Sequence, residues 1–178
     1  MRKEWGLEDA FVLGHVGRFE YQKNHTYLVD IFAAVKDRVP SAKLFLVGEG
    51  SLLDETRTKV EDLGLSDDVI FAGLSREVEK LLSGFDVFVL PSHFEGLPIV
   101  GVEAQAAGLP VLFADTITKE ARLTDASWFL PIGETDMPQW ADKLAALNGA
   151  ERGDPYERLK EQHFSLDDTI REFLDLYA

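Results

Sequence analysis

Short apolar runs alternate along this chain with longer segments whose apolar positions recur at helical spacing. FVLGHV (11–16), KLFLVG (43–48), DVIFAG (68–73), DVFVLP (86–91) and PVLFAD (110–115) are bounded by polar turns and predict buried strands. WFLPI (128–132) predicts a short last strand. NHTYLVDIFAAVKDRV (24–39) carries Tyr27, Leu28, Ile31, Phe32 and Val35 at helical intervals. SLLDETRTKVEDLG (51–64) predicts a helix that stops at Gly64, and REVEKLLSG (76–84) a short helix. PIVGVEAQAAG (98–108) has Pro in its first turn and Gly at its end, both in their favoured places. MPQWADKLAAL (137–147), YERLKEQHF (156–164) and LDDTIREFLDLY (166–177) predict three more helices.

Strand alternating with helix predicts right-handed βαβ units and a parallel sheet covered on both faces. The fold class is α/β, with a single Rossmann-like doubly wound parallel sheet. Its core spans about residues 10–150, and extra C-terminal helices fill 151–178. A chain of 178 residues suits one such domain and buries a real core. Ligands bind such sheets at the carboxyl ends of the strands, near the switch point. That singles out the loops 17–24, 48–51, 73–77, 92–98 and 114–120.

A net charge of −14 argues against general binding to nucleic acid or to an anionic membrane surface. It leaves room for a small anionic ligand held by local cations and backbone N–H groups. The absence of cysteine excludes disulfide frameworks and thiolate metal sites and fits a reducing cytosol. MRKEWGLEDA lacks the apolar centre of a signal peptide, and no apolar run approaches the ~20 residues of a membrane span.

The loop GRFEYQKN (17–24) holds Gly17, Arg18, Lys23 and Asn24. Glycine admits a ligand close to the backbone, and two cations beside a helix N-terminus suit a diphosphate. A solvated basic loop is the competing reading. GEGS (48–51) has Gly48 and Gly50, but Leu53 stands where a dinucleotide fingerprint needs its third glycine. A tight strand-to-helix turn that also lines a phosphate pocket is the better reading.

SHFEGLP followed by IVGVE carries Glu95 in a loop and Glu103 about one and a half turns into the next helix. With the N–H groups around Leu97, Ile99 and Val100, the two carboxylates can border one cleft and grip sugar hydroxyls. The alternative is that Glu95 caps the helix and Glu103 is solvated. The Ala- and Gly-rich helix favours a Glu103 near packed backbone, and Gly101, Ala104, Ala106, Ala107 and Gly108 suggest close approach to the sheet. His15 reads as a core or pocket-edge residue; His25 and His93 border the ligand loops, where either could touch ligand. No histidine has metal-ligand spacing, there is no D-x-D pair, and no G-x-S-x-G elbow occurs.

Taken together, GRFEYQKN, LFLVGEGSLLDE and PSHFEGLPIVGVEAQAAGLPVL resemble the C-terminal, donor-binding half of the GT-B glycosyltransferases of family 4, the retaining "glycosyltransferases group 1". The resemblance runs from about residue 10 to the end. The wording QKNH, FEGLPIV and EAQAAGLP is most similar to bacterial enzymes of exopolysaccharide or capsule synthesis.

The resemblance implies that Arg18 and Lys23, with Gly17 beside them, hold a donor diphosphate. It implies that Glu103 bonds the ribose and Glu95 faces the transferred sugar. The backbone of Gly96, Leu97, Pro98 and Ile99 would contact sugar and phosphates, and the loop with Leu74 and Arg76 would cradle the base. Catalysis would fall to Glu95, Arg18 and Lys23, with a UDP- or GDP-linked sugar as donor substrate and no essential metal or other cofactor. The implied enzyme is a hexosyltransferase-type glycosyltransferase, cytoplasmic, with peripheral attachment to the inner face of the membrane in its full-length form.

The acceptor, a sugar or lipid-linked sugar, would bind an N-terminal domain that this chain lacks. The chain is then expected to be a piece of a longer protein or a truncated gene product, with little or no turnover alone. The terminal helix would cross back to the N-terminal domain. A non-catalytic nucleotide-binding subunit acting with a separate acceptor-domain chain is the alternative. A GT-B phosphorylase lacks its cofactor-lysine motif here, and Leu53 speaks against an NAD-linked dehydrogenase.

Overall fold

A computed structural model describes residues 1–155 of the chain. Its sheet has six strands, all parallel: β1 (Phe11–Val16), β2 (Ala42–Val47), β3 (Val69–Phe71), β4 (Val87–Leu90), β5 (Val111–Ala114) and β6 (Ser127–Leu130). Their order is β3-β2-β1-β4-β5-β6. The six strand segments expected from the apolar runs are all present. Gly48, Gly73 and Pro91, which close three of those runs, fall in the loops that follow β2, β3 and β4. Every residue of β4 and β5 is buried, as a sheet covered on both faces requires.

The helices are α1 (Arg2–Trp5), α2 (His25–Lys36), α3 (Leu53–Asp62), α4 (Val78–Leu82), α5 (Ile99–Ala106) and α6 (Met137–Ala146). The chain moves from β1 through α2 to β2 on one side, and from β4 through α5 to β5 on the other. Right-handed crossovers in opposite directions put α2 and α5 on opposite faces. α2 packs with α3 and α6. Tyr27 of α2 and Trp140 of α6 donate to the carbonyls of Gly133 and Pro131 at 3.0 and 2.8 Å, fixing the return after β6. On the other face Gly101 brings α5 so close that an added Cβ would lie 2.7 Å from the Phe113 ring. Helix α5 ends as its sequence predicts: Gly108 takes φ 75°, and the N–H groups of Gly108 and Leu109 reach back to Gln105 and Ala104.

The short helix α1 was not expected. Four residues give no periodicity to read, and it is held by distant partners instead. Arg2 bonds the Gly84 carbonyl at 2.9 Å and pairs with Asp86 at 2.5 Å; Asp86 in turn accepts from the Val12 N–H at 2.7 Å. Residues 151–155 form no helix. Arg152 instead donates to the carbonyls of Ala107, Leu82, Ser83 and Phe85 at 2.5–3.3 Å, stitching the ends of α4 and α5. The helices expected at 156–164 and 166–177 lie outside the described residues.

Candidate functional site at the switch point

The strand order reverses between β1 and β4, so the loops leaving their carboxyl ends flank the crevice where such sheets take ligands. The loop after β1 is built against the turn after β2. The N–H of Gly17 donates to Val47 and that of Phe19 to Glu49, both at 2.9 Å, and Leu52 donates back to the Phe19 carbonyl at 2.9 Å. Gly48 permits this contact. It sits at φ 138°, and a Cβ there would lie 2.1 Å from the Gly17 carbonyl oxygen. Gly50 meets Phe19 as closely, with an added Cβ 2.4 Å from its carbonyl. The GEGS glycines thus serve backbone-to-backbone packing of two loops. Glu20 adds a further tie: its carboxylate accepts from the Ser51 N–H and hydroxyl, which holds it below the usual carboxylate range.

A 3-10 turn, Tyr21–Lys23, then leads to Asn24 at φ 56° and into α2. Asparagine tolerates this left-handed geometry. Its amide donates to the Pro91 carbonyl at 3.1 Å, which joins the start of α2 to the end of β4.

The loop after β4 closes on this turn. The N–H of His93 donates to the Gln22 carbonyl at 2.8 Å, and the Tyr21 and His93 rings stack at 4.3 Å. Ser92 is buried, and its carbonyl accepts from the Thr116 hydroxyl at 2.9 Å. Glu95 occupies the centre. Its Oε1 accepts from Lys23 Nζ at 2.6 Å and Ser92 Oγ at 2.9 Å, and its Oε2 from Gln22 Nε2 at 3.1 Å. The two charged side chains are only 16 % (Lys23) and 8 % (Glu95) exposed. The stem of Lys23 lies against Gly17, 3.0 Å from where a Cβ would be.

Beyond Glu95 the chain enters α5, whose first bonds run from Gly101 and Val102 to the Pro98 carbonyl. The N–H groups of Ile99 and Val100 precede them and no side chain caps the helix, so this end offers donors and partial positive charge to an anion.

Behind the crevice, His15 and His25 are 0 % and 2 % exposed, their rings in edge contact at 4.6 Å. His15 Nδ1 donates to the Val89 carbonyl at 2.8 Å. His25 stacks on Phe19 at 3.9 Å, and neither of its ring nitrogens has a hydrogen-bond partner. Burial pushes both histidines below their ordinary pKa, His15 to about 4. For His25, expected as a possible ligand contact, this is a correction: its ring is enclosed behind the loop, stacked on Phe19 and 2 % exposed.

The structure brings Lys23 and Glu95 into contact and places Gly17 beneath them. Arg18 is exposed on the same loop. Gly96, Leu97 and Ile99 are exposed around the start of α5, while Pro98 is buried. Leu74 and Arg76 are exposed on the loop after β3, which is tied to β2 by the Gly48 N–H donating to the Gly73 carbonyl at 2.8 Å. Glu103 departs from expectation. It is exposed rather than set against packed backbone, and with Val78, Glu79 and Leu82 it lines a cavity of about 350 Å³ between α4 and α5. One turn of helix carries it away from Glu95, and no hydrogen bond joins the two among the described residues.

Three side chains that tie these loops and helix α5 together escaped the sequence reading. Gln22 and Ser92 bond Glu95 from loop positions without periodicity. Gln105, fully buried, donates to the Gly101 and Ala121 carbonyls and accepts from Leu123 N, Thr124 N and Ser127 Oγ. The only signal for it is a long amide in a helix of small residues.

The sequence matches the model of the family "Glycosyl transferases group 1" over residues 1–147. EpsF of Bacillus subtilis (strain 168), described as a glycosyltransferase, is 43% identical over 149 residues, covering 81% of this chain and 38% of EpsF. Among solved structures, Anabaena Alr3699/HepE in complex with UDP and glucose is similar with a TM-score of 0.74 at 23% identity, over 84% of this chain and 41% of that one. The C-terminal domain of a glycosyl transferase group 1 family protein (LpcC) from Francisella tularensis has a TM-score of 0.72 at 21% identity, over 90% of this chain and 91% of that one. This chain therefore spans well under half the length of EpsF.

Proposed function

The chain belongs to the Glycosyl transferases group 1 family, and from that premise we propose that it binds a nucleotide-activated sugar for a glycosyl transfer that retains configuration. The observation that carries this reading is the Lys23–Glu95 pair at the switch point, where a cation for phosphate and a carboxylate for hydroxyls share one crevice. Arg18 and Lys23 hold the donor diphosphate, with the α5 N-terminus and the backbone of Gly96–Ile99 as further donors. Glu95 faces the sugar. Glu103, exposed one turn into α5, takes the ribose, and Leu74 and Arg76 border the base. HepE, crystallised with UDP and glucose, supports a UDP-linked donor; GDP is the alternative.

In the transfer, the bond between the anomeric carbon and the leaving phosphate oxygen breaks as the acceptor hydroxyl bonds on the same face. The hydroxyl proton passes to the leaving phosphate. Negative charge develops on that phosphate, and preorganised cations and helix N–H groups lower the barrier by stabilising it. This scheme asks for no metal. The acceptor, a sugar or lipid-linked sugar of polysaccharide assembly, would be bound by residues beyond this chain.

A thermal-shift screen with UDP, GDP, ADP and their sugars tests the donor assignment. A ligand at about 100 times its Kd adds about 2.7 kcal/mol, or roughly 5–10 °C at this size. Arg18→Ala and Glu103→Ala should each reduce the shift. Unchanged melting with every nucleotide, or variants that respond like wild type, would refute it.

A further inference from the structure

A carboxylate offers about four accepting directions, two on each oxygen. Glu95 Oε1 has both occupied within the chain, by Lys23 Nζ at 2.6 Å and Ser92 Oγ at 2.9 Å. Among the described residues Oε2 accepts one bond, from Gln22 Nε2 at 3.1 Å, and keeps one direction open. At 8 % exposure the side chain has little room to turn, so a ligand meets this carboxylate through a single direction on Oε2. Gln22 determines where that direction points.

Gln22 is itself held firmly. Its backbone carbonyl accepts from the His93 N–H at 2.8 Å, and Nε2 also donates to the Phe94 carbonyl at 3.1 Å. Both partners of the amide nitrogen are acceptors, which fixes the orientation of the amide: turned over, it would set oxygen against oxygen twice. The stacked Tyr21 and His93 rings brace the same turn. Lys23 contributes differently. Its ammonium has three N–H donors and spends one on Glu95, so it can hold a phosphate oxygen at the same time.

We propose that Gln22 is a positioning residue for sugar recognition: it aims the one open acceptor of Glu95 at a donor-sugar hydroxyl, while Lys23 bridges Glu95 to the diphosphate. This rests on the reading of the crevice as a nucleotide-sugar site. It separates the residues for the two ends of the donor. Gln22 serves the sugar end alone, Arg18 the phosphate end alone, and Lys23 both.

The test is calorimetric titration of the 178-residue chain and its Gln22→Met variant with UDP, UDP-glucose, GDP and GDP-mannose. Methionine keeps the length and apolar stem of glutamine and removes the donor; the backbone clasp to His93 does not depend on the side chain. For the nucleotide that wild type binds, the variant should hold the diphosphate within about twofold and lose about tenfold in affinity for the nucleotide sugar. That is the scale of one hydrogen bond to a charged group. An equal loss for both ligands, or none for either, overturns the assignment of Gln22. Binding of neither diphosphate by wild type overturns the nucleotide-sugar reading itself, and this inference with it.

Discussion

Lys23 and Glu95 form an ion pair, Nζ to Oε1 2.6 Å, between the loops that leave the adjacent strands β1 and β4. The pair is mostly enclosed, so removing one partner strands the other where water reaches it poorly. Lys23→Met keeps the stem against Gly17 but leaves the carboxylate with neutral donors only. A loss of about 1–3 kcal/mol is expected, seen as a fall of roughly 2–12 °C in Tm at this chain length. Lys23→Met combined with Glu95→Gln removes both charges and should recover part of that loss. Thermal melts of the four proteins form a double-mutant cycle, and a coupling of at least about 1 kcal/mol is expected. Strict additivity would show that the contact contributes nothing to stability.

Gly48 is the second structural dependency of the site. Its φ of 138° is foreign to residues with a Cβ, and that Cβ would sit 2.1 Å from a backbone oxygen of the loop carrying Lys23. Gly48→Ala should cost about 2–5 kcal/mol from strain and overlap together. Gly96 is the control, with nothing within 4 Å of an added Cβ and no positive φ. Gly96→Ala should stay within about 0.5 kcal/mol. Urea denaturation of both variants checks the contrast, and similar midpoints for the two would remove Gly48 from this role.

The contrast also shows what the sequence makes legible. The parallel sheet could be read because its strands are uninterrupted apolar runs and its helices carry a 3.6-residue period. The sequence narrowed the candidate site to five loops at the carboxyl ends of the strands; that those after β1 and β4 flank the reversal is read from the strand order of the structure. Gly48 could be recognised as a turn glycine, but not as the seat for the Gly17 carbonyl, because that contact joins residues 31 positions apart. Gln22 and Ser92 stayed hidden for the same reason. Their role is a hydrogen bond to a carboxylate on another loop, and polar loop residues carry no period that announces a partner. The exposure of Glu103 was misjudged because a helix of small residues packs tightly on one face only; Gly101 and Ala104 are buried, while Glu103 on its other side is not.

The buried histidines set an acid limit on the fold. His15 and His25 are neutral in the folded chain because burial penalises their charged forms. In the unfolded chain each takes up a proton near pH 6.5. The unfolded state therefore binds more protons below that pH, and stability falls as the pH falls. Their contribution is complete above pH 6.5 and is lost toward acid, for His15 down to about pH 4. Each histidine can add a slope of up to about 1.4 kcal/mol per pH unit. Urea midpoints between pH 7.5 and 5 should decline steeply. His25→Phe keeps an aromatic ring on Phe19 and should flatten the slope by one histidine's share. A slope unchanged in that variant would show that His25 ionises in the folded state.

Gln105 offers the sharpest test of a side chain that reaches no ligand. Its amide nitrogen donates to Gly101 and Ala121 at 3.0 and 2.8 Å, and its oxygen accepts from Leu123 N, Thr124 N and Ser127 Oγ at 2.8–3.0 Å. One buried amide thereby satisfies the segment between the second 3-10 turn, Lys119–Ala121, and β6. Gln105→Leu matches its size but orphans several buried groups at once, at about 1–3 kcal/mol each before relaxation. A total loss of about 3–5 kcal/mol is expected, at the upper end for single substitutions. The loss should also be local in character. Hydrogen exchange at Leu123 and Thr124 should accelerate by more than the global destabilisation accounts for, because their N–H groups lose their acceptor directly. Exchange at those amides that tracks the global change alone would show that the segment is held by its other contacts.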